Sequence, residues 1–366
     1  MQLKLQQPSA LSTVISKRRD FTFVMAALSA AVFGSVLLAV CVGVVNITPQ
    51  TAFQIILYKA ANLHFGDITS QVPRAFIDII WHIRLPRIFM AVIAGAGLAV
   101  CGTAMQATVQ NPLADPYILG ISAGASFGAT FAILLGAASY AYGLGIAIWA
   151  FAGALASSLL VMLLSNLGGS SSTVKMILAG TIATALFSAF SSLIIYLADN
   201  AEGIRTITFW TMGSLASAKW SNLALPSAGV FLCSMFFLLQ CRKLNTLLLG
   251  EEAATALGID LSKVRRNNLI IAALMTGLIT AVCGVIGFVG LVIPHIVRGF
   301  IGSDHRRLLP AAMLVGALFL IWADVLTRTA LPSGELPIGI ITALIGAPFF
   351  MYILFKSSLG FANKEG

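Results

Sequence analysis

An all-α membrane protein of about ten transmembrane helices is the fold class predicted by this sequence, and three observations predict it. Of 366 residues, 58% are hydrophobic and only 10% charged, with a mean hydropathy of +0.95, so polar side chains are too few to cover a soluble globule of this size. The apolar runs are about as long as the 17–25 residues that a helix needs to cross a bilayer, and short clusters of charge, Gly and Pro separate them. No run alternates at period two, as the strands of a membrane barrel would.

The first apolar run, 21–45, follows "SKRRD". It is too long for the apolar region of a secretory signal, has no convincing small-x-small cleavage site and opens a chain full of similar runs, so it reads as an uncleaved first span. The remaining spans are expected at 87–108, 116–137, 145–165, 174–197, 222–241, 267–286, 288–303, 309–327 and 337–355. The pair at 267–303 carries Gly284, Gly287, Gly290 and Pro294 in a stretch tight for two crossings, which predicts one short or broken helix. The chain thus divides into a segment 1–20, a ten-helix domain over 21–356 and a tail 357–366.

With both termini in the cytoplasm, Lys and Arg fall inside at 4, 17, 18, 19, 175, 242, 243, 263, 265, 266, 306, 307, 356 and 364, and outside only at 59, 74, 84, 87, 205, 219 and 328. That bias is the positive-inside pattern, and it accounts for the net charge of +9 without a nucleic-acid partner. Ala91, Gly95, Ala99, Thr103 and Ala107 recur every four residues on the second span, as do Gly120, Gly124 and Gly128 on the third. Such stripes let helix backbones approach closely where lipid supplies no hydrophobic drive for association. Between these spans, in "NPLADP", Pro112 ends one helix while Asp115 is placed to cap the next, with Pro116 in its first turn.

Catalytic and metal constellations are not evident. The five cysteines (41, 101, 233, 241, 283) sit in or at the ends of apolar helices without a CxxC, and no histidine lies near a carboxylate or a second histidine at metal-ligand spacing; His64 and His82 belong to the first outside loop. An ion-coupled secondary transporter would carry carboxylates near the midplane. Here Asp324 falls in the last turn before the outside and Asp115 at a helix boundary. No Gly-Lys dipeptide occurs, so this chain has no P-loop, and energy from ATP would have to come from another polypeptide. An "AVCG" tetrapeptide recurs 182 residues apart, at 99–102 and 281–284, on helices expected to run in opposite directions, a weak sign of an inverted repeat.

The stretch 244–266, "LNTLLLGEEAATALGIDLSKVRR", stands out as charged and helix-like in an apolar chain. It follows Arg242 and Lys243 at the inner end of the sixth span. Glu251 and Glu252 stand where a helix N-terminus favours negative charge, and Gly250 and Gly258 bracket the helix as stop signals. Ala253, Ala254 and Leu257, preceded by Leu247, Leu248 and Leu249, form an apolar face outside the membrane, which suits a knob for a protein partner or a helix lying on the lipid surface.

"GEEAATALG" with its following basic turn resembles the coupling segment of the FecCD-type permeases, the membrane subunits of type II ABC importers for iron chelates, haem and cobalamin. The likeness continues in order through "RLPR" (84–87), "NPLADPYILGISAGA" (111–125), "STVKMILAG" (172–180), "GFVGLVIPHIVR" (287–298), "DHRRLLP" (304–310) and "ELPIGIITALIGAPFF" (335–350), covering about residues 20–356. The resemblance implies a ten-helix, cobalamin-permease-like subunit of the inner membrane, paired with a second copy or a close paralogue. Two copies of a separate ATPase, which holds the ATP and Mg, would bind below, and a periplasmic substrate-binding protein above. It implies that Leu249, Gly250, Glu251, Glu252, Ala253, Leu257 and Gly258 couple to the ATPase. It also implies that Arg84, Arg87 and Arg328 dock the binding protein, although on residue type alone they equally suit helix-end anchors. Ser172 and Thr173 would form a cytoplasmic gate, where residue type alone offers helix capping. No cofactor or metal is expected in this chain. The run "PYILGISAGASFGA" looks most like the ferric-siderophore branch, with haem and cobalamin as the alternatives.

Overall fold

The computed structural model describes residues 10–61, 72–136, 145–167, 173–331 and 334–362, which are helical throughout with no strand among them. In chain order the helices are α1 (Ala10–Cys41), α2 (Pro49–Ala61), α3 (Arg74–Asp78), α4 (Leu85–Thr108), α5 (Ile121–Leu134), α6 (Gly145–Asn166), α7 (Thr173–Leu197), α8 (Ala201–Thr211), α9 (Trp220–Leu239), α10 (Cys241–Leu247), α11 (Glu251–Ala256), α12 (Leu261–Cys283), α13 (Val289–Ile301), α14 (His305–Thr329) and α15 (Ile338–Ala362). Among the described residues, seven helices are long and apolar enough to cross a membrane: α1, the α3–α4 run, α6, α7, α9, α12 and α14. The shorter apolar helices α5, α13 and α15 supply the other three of the ten expected spans. Three helices were not foreseen as elements. α2, α3 and α8 are too short to span, so a search for membrane-length runs passes over them.

α4 lies at the centre. It is buried along nearly its whole length and packs against α14, α13, α12 and α9, while α5, α6 and α7 form a second packed group joined to the first through α12. The small-residue stripes make these contacts. A Cβ placed on Gly95 would sit 2.2 Å from the carbonyl oxygen of Gly316 in α14, and one on Gly124 would sit 2.3 Å from that of Gly153 in α6. No side chain fits between backbones at that separation. Gly124→Val is therefore expected to force α5 and α6 apart and lower the melting temperature in detergent, at a cost of at least about 1–3 kcal/mol. Gly299→Ala, at a position with open space around it, serves as the neutral control, and equal melting temperatures for the two variants would refute the close-packing account.

The expected break in 267–303 is present. α12 ends at Cys283, Gly284 (φ 67°) and Phe288 (φ 68°) turn the chain through left-handed conformations, and α13 runs for only 13 residues. At 1.5 Å per residue that is about 20 Å, short of a bilayer core of about 30 Å. Non-helical backbone at that depth is tolerated because protein covers it. Ile286 is fully buried, and its N–H donates to the hydroxyl of Tyr117 at 3.4 Å. A second break separates α4 from α5. The Asp115 carboxylate accepts from the N–H of Tyr117 at 2.8 Å, as its position in "NPLADP" predicts, but it caps a single 3-10 turn, Pro116–Leu119; α5 begins only after Gly120 (φ 71°).

Candidate coupling and gating sites

At one end of the bundle, which we term the basic end because Arg242, Lys243, Lys263, Arg266, Arg306 and Arg307 gather in its connections, the chain from 241 to 260 builds a small platform. Leu244 and Leu247 of α10 and Ala254 of α11 are fully buried and seat it against the bundle. Its two glycines bracket α11 as the sequence suggests: Gly250 has φ 100° and Gly258 φ 80°. At the C-terminal end the N–H groups of Gly258 and Ile259 donate to the carbonyls of Thr255 (2.9 Å) and Ala254 (3.0 Å), the paired bonds that close a helix through a left-handed glycine. Asp260 then caps α12, accepting from the N–H of Lys263 at 2.9 Å.

What the platform presents outward is apolar. Leu249 is 64% and Leu257 65% exposed, with Leu248 and Glu252 beside them and Ala253 half-buried, whereas Ala254 turns inward and leaves the expected face. A cleft of about 310 Å³ opens next to it, lined by residues including Gln106, Gln110, Leu248, Gly250 and Arg298. Gln110, itself at φ 52°, donates its side-chain amide to the carbonyl of Leu247 at 2.7 Å, so the end of α4 holds the platform. Asn245 ties it to α14, donating to the Asp304 carboxylate at 2.7 Å and accepting from the N–H of His305 at 2.9 Å. Partial burial raises the Asp304 pKa, but the bonds from Asn245 and the Arg306 N–H, with the charges of Arg306 and Arg307, outweigh it and hold the carboxyl below the usual range.

Glu251 does not stand free on this surface. Its carboxylate is paired with Arg265 in the first turns of α12, a residue only 1% exposed, and the same guanidinium donates to the hydroxyl of Thr173 at 3.3 Å. The candidate gate residue Thr173, at the start of α7, is thus brought to the platform. Ser172 lies outside the described residues, as does His64.

At the opposite end the three arginines depart from the expectation of exposed rim charges. Arg84 and Arg87 are each 4% and Arg328 5% exposed. Residues Ile79–Arg84 form a π-helical turn ahead of Pro86, and Arg84 and Arg87, at the head of α4, meet different partners. Arg84 donates to the carbonyls of Val40 (2.7 Å), Cys41 (3.1 Å) and Val45, satisfying the open end of α1. Arg87 pairs with Asp324 and with Glu335, both at 2.6 Å, and donates to the Thr327 hydroxyl at 3.1 Å. Arg328 meets the other Asp324 oxygen at 3.1 Å and the carbonyls of Val42 and Ala39. Each therefore anchors a helix end. The i, i+4 spacing of Asp324 and Arg328 was a legible sign of this pairing; the partnership of Arg87 with residues more than 200 positions away was not.

The profile of the FecCD transport family matches residues 30–356. The chain belongs to this family. A FecCD permease is a multi-pass inner-membrane permease subunit of an ABC importer. This FecCD permease is 40% identical to a hemin transport system permease protein of Yersinia pestis, over 76% of its own length and 85% of that protein. It is 37% identical to a molybdate import system permease protein of Haemophilus influenzae, over 91% and 97% of the two chains. Among solved structures it superposes on an inward-facing conformation of a metal-chelate type ABC transporter with a TM-score of 0.77 and 32% identity, covering 92% of this permease and 99% of that chain.

Proposed function

We propose that the chain forms, with a second copy or a close paralogue, the pathway of a binding-protein-dependent importer that carries a ferric siderophore from periplasm to cytoplasm, with both termini and the basic end on the cytoplasmic side. The observation that carries the coupling part is the platform itself: two exposed leucines, Leu249 and Leu257, flanking a six-residue helix bracketed by left-handed glycines, at the end where Lys and Arg gather. Two copies of a separate ATPase, which holds ATP and Mg, engage that knob, and a periplasmic binding protein engages the opposite end. In this reading Arg84, Arg87 and Arg328 serve docking by holding the shape of that end.

Pairing with a second permease is supported by α7, which exposes Leu178, Ile182, Leu186, Phe190 and Leu193 along one face starting from Thr173. Ser172→Cys and Thr173→Cys are expected to cross-link two subunits in one nucleotide state and several-fold less in another; cross-linking independent of state, or none, would return both hydroxyls to helix capping.

The siderophore rests on the run 116–129, whose sequence looks like that branch of the family, and on the metal-chelate type of the structural relative. Haem is the second reading, favoured by the hemin relative, and cobalamin the third. Proteoliposomes holding the permease, its ATPase and its binding protein are to be offered labelled ferric siderophore, haem, cobalamin and molybdate in turn. ATP-dependent uptake of the first alone is expected; uptake of another alone would replace the assignment.

A further inference from the structure

We propose that Arg265 is the positioning residue that transmits displacement of the α11 helix to the first turn of α7, by gripping Glu251 and Thr173 with one guanidinium. The proposal rests on the coupling and gating roles given above to these two elements, and it names the physical link between them.

Three features carry it. First, the two groups that Arg265 holds belong to separate elements: Glu251 opens α11, and Thr173 opens α7, far away in sequence. Both acceptors sit on one nitrogen, Nη2, so Glu251 and Thr173 meet at a single point of the guanidinium. Second, the two ends of the ion pair are unequally covered. The Arg265 side chain is 2% exposed while that of Glu251 is 44% exposed, on the platform beside Leu249 and Leu257. Separating them would leave a charge buried without its counter-ion, so the pair moves together. A protein seated on the platform therefore acts on a carboxylate whose partner reaches the α7 turn. Third, α11 is set off at both ends by Gly250 and Gly258, which hold left-handed conformations and where a Cβ would meet nothing within 4 Å. A bracing contact confined to a static core would not end in a half-exposed carboxylate on the contact face.

The test uses the assembled permease–ATPase complex with its binding protein. With Ser172→Cys as reporter, cross-linking between subunits is measured with and without a non-hydrolysable ATP analogue, in the presence of Arg265 and in Arg265→Met and Arg265→Lys. Arg265→Met is expected to abolish the nucleotide-dependent change, and Arg265→Lys to reduce it, because lysine keeps the charge but has a shorter reach. An unchanged response in Arg265→Met overturns the link. If the response is missing even with Arg265 present, it is the gate reading that fails, and the link is decided by a second measurement. Stimulation of ATP hydrolysis by the binding protein is compared in Thr173→Val, Glu251→Gln and the double variant. Members of one serial link are non-additive, so the double variant should be no worse than the more severe single one. Effects that multiply would overturn the proposal. Both substitutions keep side-chain volume, so this cycle also stands if Arg265→Met fails to assemble.

Discussion

Leu249→Asp combined with Leu257→Asp is expected to strip the ATPase from the permease during purification, with at least a tenfold loss of co-purifying subunit and no change in the permease's own melting temperature. Both side chains are about two-thirds exposed, so nothing in the permease fold depends on them. Burying a leucine is worth about 1.5–3 kcal/mol, and about 1.4 kcal/mol changes a binding constant tenfold. Aspartate at the same point removes that term and adds a charge that must be desolvated. Reversing Glu251 is a poorer probe of docking than residue type suggests, because it would also strand the buried guanidinium of Arg265; Glu252→Lys, on the exposed side, tests the electrostatic contribution without that confusion. A double leucine variant that retains a stoichiometric ATPase would remove the platform from consideration as the docking knob.

Asp324→Ala is expected to destabilise the permease by about 3–5 kcal/mol, the cost of leaving a buried charge without its partner. Asp324 is 1% exposed and stands between Arg87 and Arg328, so one substitution strips Arg328 of its carboxylate and leaves Arg87 with the Glu335 carboxylate alone. Glu335→Gln, by contrast, removes a carboxylate that is 46% exposed and should cost no more than about 0.2–1 kcal/mol. Apparent melting temperatures of the two variants in detergent separate these cases. Equal shifts would mean that the Asp324 network is screened like a surface pair. The same contrast changes what arginine substitutions report. Arg87→Ala would be expected to act on folding first, and a loss of binding-protein affinity measured on it would need a stability control.

How far the sequence carried can be judged from particular elements. The ten spans followed from run length, because a bilayer demands a minimum helix and the interruptions were marked by charge and proline. The break at 284–288 was legible in its glycines, and so were the close contacts at Gly95 and Gly124, since small residues at fourfold spacing have few other uses in lipid. The limits of α11 were set by glycines whose conformations only the structure reveals but whose positions already pointed to a stop. Two things escaped. The helices α2, α3 and α8 run outside the ten spans and carry no membrane-length signal. Long-range partnerships also escaped: Arg265 figured only as one positive charge among fourteen, and nothing local in "KVRR" tells that this arginine is buried against residues 251 and 173. The π turn at 79–84 likewise lies beyond pattern reading.

The pairing of Arg87 with Asp324 also sets a schedule for biogenesis. The two residues are 237 positions apart, and Arg87 is made first. At about 5–20 residues per second, a ribosome needs roughly 12–47 s to deliver the carboxylate after the arginine has been synthesised. Throughout that interval Arg87 lacks the carboxylate that meets it in the folded chain, and the head of α4 gains this anchor only when α14 is made, so the central helix is fastened by one of the last.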